Sequence, residues 1–584
     1  MSVSTVLNLS QDHLDLEPIA PSEGADRRQQ TDLVSAQYAQ QLLPKLTDEQ
    51  IGTLMTYGAV EQISAGQILS AAGDLSYDLM VILEGEVEAF DVQGGHRRTI
   101  VRLEARDFIA ELNLLTGQRV YVTSVVTKPG KLLRVPRESV SALIDADGPL
   151  GELLVQTMFR RREAFLLIGS GVQIVGSRYS PDTQRLREFA ARNRLAYNWV
   201  DLDNEPAAPA LLRALGVEPR QTPVILVGGT TVLTNPTNVG FAKAAGIAEE
   251  PRSGSVYDLV IVGAGPAGLA AAVYGATEGL TTAVVDALAA GGQAATTSRI
   301  ENYLGFPAGV SGEEFGERAL LQAQRLGAHM FVPHAAATMS HPDGHYLLTL
   351  DNGAQLLGKA VIVTTGVTYR RLAVPGLERF EGVSVFYSPV DAQHVQRGAP
   401  VAIVGGGNSA GQAATALAAR GNPVVIVVRG GALAETMSTY LLDRIEHEPL
   451  ISVRTNSVVR GAEGEAELKT LVVENSKTEE SSQVEAHYLF VMIGAEPHTK
   501  WLGDTVERDR YGFILTGDDI PPAVLNDGTW TAAGRSPYFL ETSSPGVFAA
   551  GDVRAGSIKR VAAAVGEGSM AVRLVQQHLG QIAV

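Results

Sequence analysis

The chain has 584 residues, 45% of them hydrophobic and 19% charged, with a mean hydropathy of +0.07. At about 150 residues per domain, this length suggests roughly four folded units, and the composition excludes wholesale disorder. Asp and Glu outnumber Lys and Arg by 64 to 47, a net charge of −17 that argues against a broad nucleic-acid or anionic-membrane surface. Cysteine is absent. That excludes disulfide staples, thiolate metal ligands, a cysteine nucleophile and any internal thiol–disulfide relay.

Residues 1–40 are polar and rich in Gln, Asp and Ser, the composition of a flexible tail. The opening MSVSTVLNLSQDHLDLEP lacks the basic leader and long apolar stretch of a secretory signal. From 41 to 167, apolar runs punctuated by glycine (GQIL, VILEGEVEAF, TIVRLEARDF, YVTSVV, KLLRVP) predict an all-β roll. A helical stretch from Pro136 to about Leu167 follows, and its Arg160, Arg161 and Arg162 read as a solvated face. Residues 168–250 form a small α/β pattern: strand VQIVG, helix PDTQRLREFAARN, strand YNWVDLD, a hairpin of PVILVGG with TVL, and helix NVGFAKAAGI. EEPRSGS at 249–255 is the expected linker. Beyond it, strands alternate with Ala- and Gly-rich helices, as in doubly wound parallel sheets.

The uncharged run at 259–276 is long enough to suggest a membrane span. Its Gly263, Gly265, Pro266, Gly268 and Gly275 instead fit a strand–turn–helix, so a soluble cytoplasmic protein with no membrane partner is expected. DLVIVGAGPAGLAAAVYGATEGLTTAVVD places Gly263, Gly265 and Gly268 as GxGxxG between an apolar strand and a helix. The first glycine allows the tight turn, the second a close approach of pyrophosphate, and the third close packing of helix on strand. Asp286 ends the next strand, where a carboxylate accepts hydrogen bonds from ribose hydroxyls. A second copy, APVAIVGGGNSAGQAATALAARGNPVVIVVRG, supplies Gly405, Gly407, Ser409 and Ala410. Arg429 stands where an acid would favour NADH, so NADPH is expected. Two such units in one chain imply hydride traffic between a pyridine nucleotide and a flavin.

At residues 256–584 these motifs resemble the low-molecular-weight thioredoxin reductases. GGQAATTSRIENYLGFP at 291–307 is similar to that family's flavin-contacting segment, and VIVTTG at 361–366 and VMIGAEPHT at 491–499 to its two crossovers. GVFAAGDV at 546–553 with IKRVAAAVGEG at 558–568 resembles its C-terminal FAD motif. The resemblance implies FAD contacts from Gly292, Gln293, Asn302, Asp552, Arg560 and Val561. It implies an FAD domain split into 255–374 and 496–584, with an NADPH domain at 375–495 between, and a homodimer. Family members carry CxxC just before the second fingerprint. The matching stretch here, GVSVFYSPVDAQHVQRGAPVAIVGGG, holds Ser388 and Pro389 instead. A hydroxyl cannot cycle between dithiol and disulfide, so the usual exit for electrons is missing. The acceptor is then expected outside the chain: a ferredoxin, a quinone or another small molecule.

Residues 46–165 resemble the cyclic-nucleotide-binding β-roll, with glycines at Gly66, Gly73 and Gly85 and a phosphate cassette at FIAELNLLTGQRVYVTSVV. Glu111 fits the family's ribose-binding glutamate. Its phosphate-binding arginine falls one residue early, at Arg119 instead of Val120, and Ala110 replaces a glycine. A cyclic-nucleotide effector site and a ligand-free docking module both remain open. Residues 169–250 resemble the thioredoxin fold: Thr222-Pro223 matches its cis-proline, and GSRYSPDT at 176–183 its active-site loop, with Ser180 in place of a thiol. His394 and His498 lie near the reductase motifs and read as surface groups, and no histidine spacing suggests a metal. The chain thus reads as an NADPH-oxidising flavoenzyme with N-terminal regulatory or docking units. The alternative is a redox or nucleotide sensor with little turnover.

Overall fold

The computed structural model describes residues 42–582, apart from 75–76, 94–95, 111–113, 115–118, 169–170, 206–207, 229–230, 252–253, 298, 382, 388–394, 466 and 527. The tail expected at 1–40 lies outside the described residues, as do Glu111, Ser388, Pro389 and His394.

The first unit starts with helix α1 (Asp48–Met55), capped by Thr47, and continues into strands β1 (Ala59–Ile63), β2 (Ile68–Ser70), β3 (Leu79–Gln93), β4 (His96–Glu104), β5 (Phe108–Ile109) and β6 (Thr123–Val135). The sheet order is β1-β6-β3-β4, with β2 on β6 and β5 on β3, all antiparallel, as the glycine-punctuated runs predict. Helices α2 (Arg137–Ala146) and α3 (Gly148–Ile168) close it. They set Val140, Leu143, Leu154 and Met158 against Leu79, Phe108 and Leu132.

In the second unit, β7 (Val172–Gly176) runs parallel to β8 (Tyr197–Asp201) after helix α4 (Pro181–Arg192). Helix α5 (Ala208–Ala214) leads to the hairpin of β9 (Val224–Val227) and β10 (Thr231–Thr234), and α6 (Asn238–Ala245) ends the unit. The order β10-β9-β7-β8 buries Ile174, Leu186, Phe189, Ile225 and Phe241. The Thr222–Pro223 peptide is cis, as expected.

The third unit opens with β11 (Val256–Val262), α7 (Pro266–Thr277) and β12 (Thr282–Val285). Helix α8 (Gly312–Arg325) leads to β13 (His329–Phe331), β14 (Ala336–Ser340), β15 (Tyr346–Leu350) and β16 (Gln355–Val363). The parallel core β13-β12-β11-β16 carries β15 and β14 antiparallel on one side. β11 is nearly all buried, because a sheet covered on both faces selects a continuous apolar run rather than an alternating one. The chain leaves through β17 (Val367–Tyr369) into a second parallel sheet. That sheet comprises β18 (Val385–Phe386), β19 (Val401–Val404), helix α9 (Asn408–Ala418), β20 (Val424–Val427), helix α10 (Thr439–Glu446) and β21 (Ile451–Arg454). An antiparallel layer of β22 (Ser457–Gly464), β23 (Leu468–Asn475) and β24 (Ser481–Glu485) follows, and β25 (Tyr488–Val491) completes the order β18-β25-β19-β20-β21. The chain returns along β26 (Ala495–Pro497), antiparallel to β17, to β27 (Val547–Ala549) beside β16 and the long helix α11 (Val561–Ile582). The architecture is the expected one: a β-roll with helices, a small thioredoxin-like α/β unit and two doubly wound dinucleotide folds. Among the described residues, no helix is long and apolar enough to cross a membrane.

The units share surfaces. Leu321 of α8 is buried in the core of the first unit, while its neighbour Ala323 belongs to the core under β11.

Candidate functional site

The first fingerprint forms the turn between β11 and α7. Gly263 has φ +108°, and a Cβ there would stand 2.4 Å from the Thr364 carbonyl oxygen. A Cβ on Gly268 would come within 1.8 Å of the Gly263 carbonyl oxygen, so any side chain would force helix and strand apart. Thr364 Oγ1 donates to that same carbonyl at 2.7 Å and fixes the turn from below. Gly265 is the N-cap of α7 and has no capping side chain, so the first-turn amides stay free for an anion. Asp286, half-buried beyond β12, accepts the Ala264 N–H at 2.8 Å and those of Leu288 and Ala289 at 2.9 and 3.1 Å. Burial pushes its carboxyl above the ordinary aspartate value, and the three amide bonds oppose that shift. A carboxylate has about four acceptor sites, which leaves one for a ribose hydroxyl. The turn therefore fits a dinucleotide.

Gly292 and Gln293 begin a short 3₁₀ turn at residues 292–296, beside the fingerprint. The Gly291 N–H donates to the Ala264 carbonyl at 2.8 Å, and the Gln293 amide donates to the Val367 carbonyl on β17. Asn302 is exposed. Asp552 sits at the carboxyl end of β27, where burial raises its carboxyl and Lys559 opposes the shift. Arg560 is exposed just ahead of α11, and Val561 is its first residue. Residue-type reasoning passed over two charged groups within this motif. Lys559 Nζ donates to the Asp552 carbonyl at 2.8 Å and lies 4.6 Å from the Phe513 ring centre. Glu567 accepts the Gly551 N–H at 2.7 Å and the Arg554 guanidinium at 2.6 Å, which fixes the Asp552 loop against α11. A carboxylate between two glycines in a helix, GEG, was the available signal.

The second fingerprint repeats the geometry between β19 and α9. A Cβ on Gly405 would meet the Met492 carbonyl oxygen at 2.2 Å, and Gly407 is an N-cap without a side-chain bond. Ser409 is exposed in the first turn of α9, and Arg429 is exposed two residues past β20. Asn408 Oδ1 accepts the Ser438 N–H and Thr436 Oγ1 donates to the Gly406 carbonyl, both at 2.8 Å, which clamps the turn to the segment before α10. The two fingerprints belong to different sheets, and the chain passes between those sheets through β17 and β26.

Residues 257–568 match the family described as pyridine nucleotide-disulphide oxidoreductase, more than half of the chain. The chain belongs to that family. A thioredoxin reductase of Treponema pallidum is 30% identical over 323 residues, covering 55% of this chain and 97% of that protein. A 34.2 kDa protein of the rubredoxin operon of Clostridium pasteurianum matches to the same extent. An NADH dehydrogenase of Bacillus subtilis is 32% identical over 315 residues, 54% of this chain and 57% of that protein. As a pyridine nucleotide-disulphide oxidoreductase of the thioredoxin-reductase type, the protein is an FAD- and NAD(P)H-dependent oxidoreductase, and the cofactors of the type are FAD and NADPH.

Ahead of this oxidoreductase half, residues 60–147 match the cyclic nucleotide-binding domain. Arg119 is half-buried, donates from Nη1 to the Gly73 carbonyl at 2.6 Å, and its backbone N–H faces the Ala245 carbonyl of α6 at 3.4 Å. Its guanidinium is thus tied to the roll, at the junction with the thioredoxin-like unit. Ser180 is the N-cap of α4, its hydroxyl accepting the Thr183 N–H. The solvated face expected for Arg160–Arg162 is overturned at two of its three positions. Arg161 is buried and donates to the carbonyls of Leu42, Phe108 and Ala110, and Arg162 is buried against Glu317 of α8. Both seal internal junctions. His498 is exposed, with Nε2 2.8 Å from Thr368 Oγ1 across the β17–β26 ribbon.

Proposed function

We propose that this chain oxidises NADPH and reduces an acceptor other than a protein disulfide: a ferredoxin, a quinone or another small oxidant. One observation carries the reading. Two complete dinucleotide turns stand in a chain of a disulfide-reductase family whose 584 residues include no cysteine. The name of the Bacillus subtilis relative, an NADH dehydrogenase, supports an outlet of this kind. FAD, when bound, supplies the centre that takes hydride from a nicotinamide and passes electrons on.

The chain's own residues divide the work. Gly263, Gly265 and Gly268 with the amides of α7 hold the FAD pyrophosphate, and Asp286 its ribose. Gly292, Gln293, Asn302 and Asp552 line the flavin side, closed by Arg560 and Val561 at the head of α11. Gly405, Gly407 and Ser409 hold the NADPH pyrophosphate, and Arg429 pairs with its 2′-phosphate. The partition follows 255–374 with 496–584 for FAD, 375–495 for NADPH, 41–167 for the cyclic-nucleotide-binding roll and 168–250 for a cysteine-free docking unit, in a cytoplasmic homodimer. The test mixes the purified holoprotein with NADPH without oxygen, then adds ferredoxin, a quinone or thioredoxin, with and without cyclic nucleotide. Rapid bleaching by NADPH and turnover on a non-disulfide acceptor are expected. Sustained reduction of thioredoxin would overturn the reading, and bleaching without turnover on any acceptor would favour a sensor.

A further inference from the structure

Stand-alone relatives such as the Treponema pallidum protein are spanned almost completely by 55% of this chain, so the units ahead of the oxidoreductase half are additional to them. The structure shows where those units touch it. Helix α4 of the thioredoxin-like unit ends at Arg192, whose Nη2 donates to the Gly292 carbonyl at 2.7 Å. The next residue, Asn193, donates from Nδ2 to the Leu288 carbonyl at 3.0 Å, and Leu288 packs onto the core of the thioredoxin-like unit. Two adjacent side chains therefore grip the 288–292 turn at both ends.

The opposite face of that turn is built against the first fingerprint. Its amides feed the Asp286 carboxylate, the Gly291 N–H bonds to Ala264, and a Cβ on Gly292 would stand 2.8 Å from the Gly265 Cα. The backbone of 288–292 is thus a plate one residue thick, with the candidate FAD pyrophosphate turn on one side and Arg192 on the other. The Arg192 charge also reaches the Asp286 carboxyl and favours its ionised form. Arg194 and Arg162 hold the approach in register through Glu317, at 2.9 and 3.1 Å.

We infer that Arg192 of the thioredoxin-like unit is a positioning residue of the FAD site, which clamps the Gly292 turn against the first fingerprint and so couples flavin affinity to docking of that unit. The inference rests on the FAD reading of the first fingerprint. It gives the cysteine-free unit a task that needs no thiol: completing a cofactor site from outside. Linkage makes the coupling reciprocal, so FAD must tighten the docked unit as much as the docked unit tightens FAD.

The experiment measures FAD affinity of the full-length protein by flavin fluorescence after equilibrium dialysis, for the unaltered chain, R192M, R192K and R220A. Arg220 lies on the exposed surface of the same unit and pairs only with Glu218 among the contacts described. Losing one charge-assisted bond that acts through the turn should weaken FAD on the order of tenfold in R192M. R192K should recover part of the affinity, and R220A should leave it unchanged. In hydrogen exchange, residues 288–297 should open faster in R192M, and removing FAD from the unaltered protein should speed exchange at 186–194. If R192M stays folded by circular dichroism and binds FAD within twofold of the unaltered chain, the clamp is refuted while the FAD reading stands. If D286A also binds FAD normally, or the unaltered protein takes up none, the FAD reading falls and the clamp with it.

Discussion

Replacing Glu317 by Gln removes one negative charge and almost no volume from the junction of three units. Glu317 has a side-chain exposure of 9%, with Arg162 Nε at 3.1 Å and Arg194 Nε at 2.9 Å, themselves 4% and 14% exposed. Stripping the partner from a buried ion pair typically costs about 3–5 kcal/mol, because the remaining charge is desolvated without compensation. Two contacts survive here: Arg194 keeps Glu313 at 3.3 Å, and Arg162 still donates to the Arg194 carbonyl at 2.7 Å. A cost of about 2–3 kcal/mol is therefore expected for E317Q. A chain of several units has no single unfolding free energy, so the suitable assay is native-state hydrogen exchange of residues 312–325, which reads the opening of α8 directly. R194M and the double variant complete a cycle, and a coupling energy of about 1–2 kcal/mol is expected between the two sites. Effects that add to within about 0.5 kcal/mol would refute the hub, and so would an E317Q exchange pattern identical to that of the unaltered protein.

Gly268→Ala places a methyl 1.8 Å from the Gly263 carbonyl, so the purified variant should be largely colourless while its N-terminal units stay folded, as judged by bound flavin per chain and exchange protection at 172–192. Arg429→Leu should raise the KM for NADPH on the order of tenfold or more, the worth of a charge-assisted phosphate contact, and leave NADH little changed. Equal effects on both nicotinamides would remove Arg429 from the 2′-phosphate site. His578 is buried, and its Nδ1 accepts from Arg535 at 3.1 Å, so protonation would set two cations face to face. Burial and Arg535 lower its proton affinity against the opposing charge of Glu541, and burial lowers that of His334 against Asp351. Both pKa values lie below the ordinary value of about 6.5, so this stabilisation is complete above that pH and is lost as the pH falls below it. Denaturation midpoints should drop between about pH 7 and 5, less steeply in H578Q, and a flat profile in the unaltered chain would contradict the assignment.

What the sequence revealed and what it hid divide along a physical line. The two fingerprints are local devices: strand, glycine turn, helix and acid follow within some 25 residues, so Gly263, Gly268 and Asp286 could be read without a partner in view. The hairpin of β9 and β10 was legible for the same reason, while the cis-proline at Thr222-Pro223 was implied by the resemblance to the thioredoxin fold. The arginine run at 160–162 misled because three adjacent cations in a helix normally seek water. Their acceptors are the carbonyls of Leu42, Phe108 and Ala110 and the carboxylate of Glu317, all more than 45 residues away in sequence. Arg192 was invisible for the same reason, since nothing within helix α4 marks its last residue as a donor to Gly292. Glu567 was half-visible: its motif was noted, while its grip on Gly551 and Arg554 requires the helix to fold back.

The paired strands β17 and β26 have a mechanical meaning. Three facing positions, Val367 with Pro497, Thr368 with Glu496 and Tyr369 with Ala495, make them a narrow antiparallel ribbon between two broad sheets. Such a ribbon yields easily to twist, because two-stranded pairs tolerate a wide range of twist angles while keeping their bonds. It resists sideways bending, which would lengthen one strand and shear the pairing. The second parallel sheet is therefore mounted on a torsion bar. Gln293, from the turn beside the first fingerprint, grips the bar at the Val367 carbonyl. Twist in the ribbon would thus turn the sheet of β18–β21 and β25 relative to the sheet that holds β11.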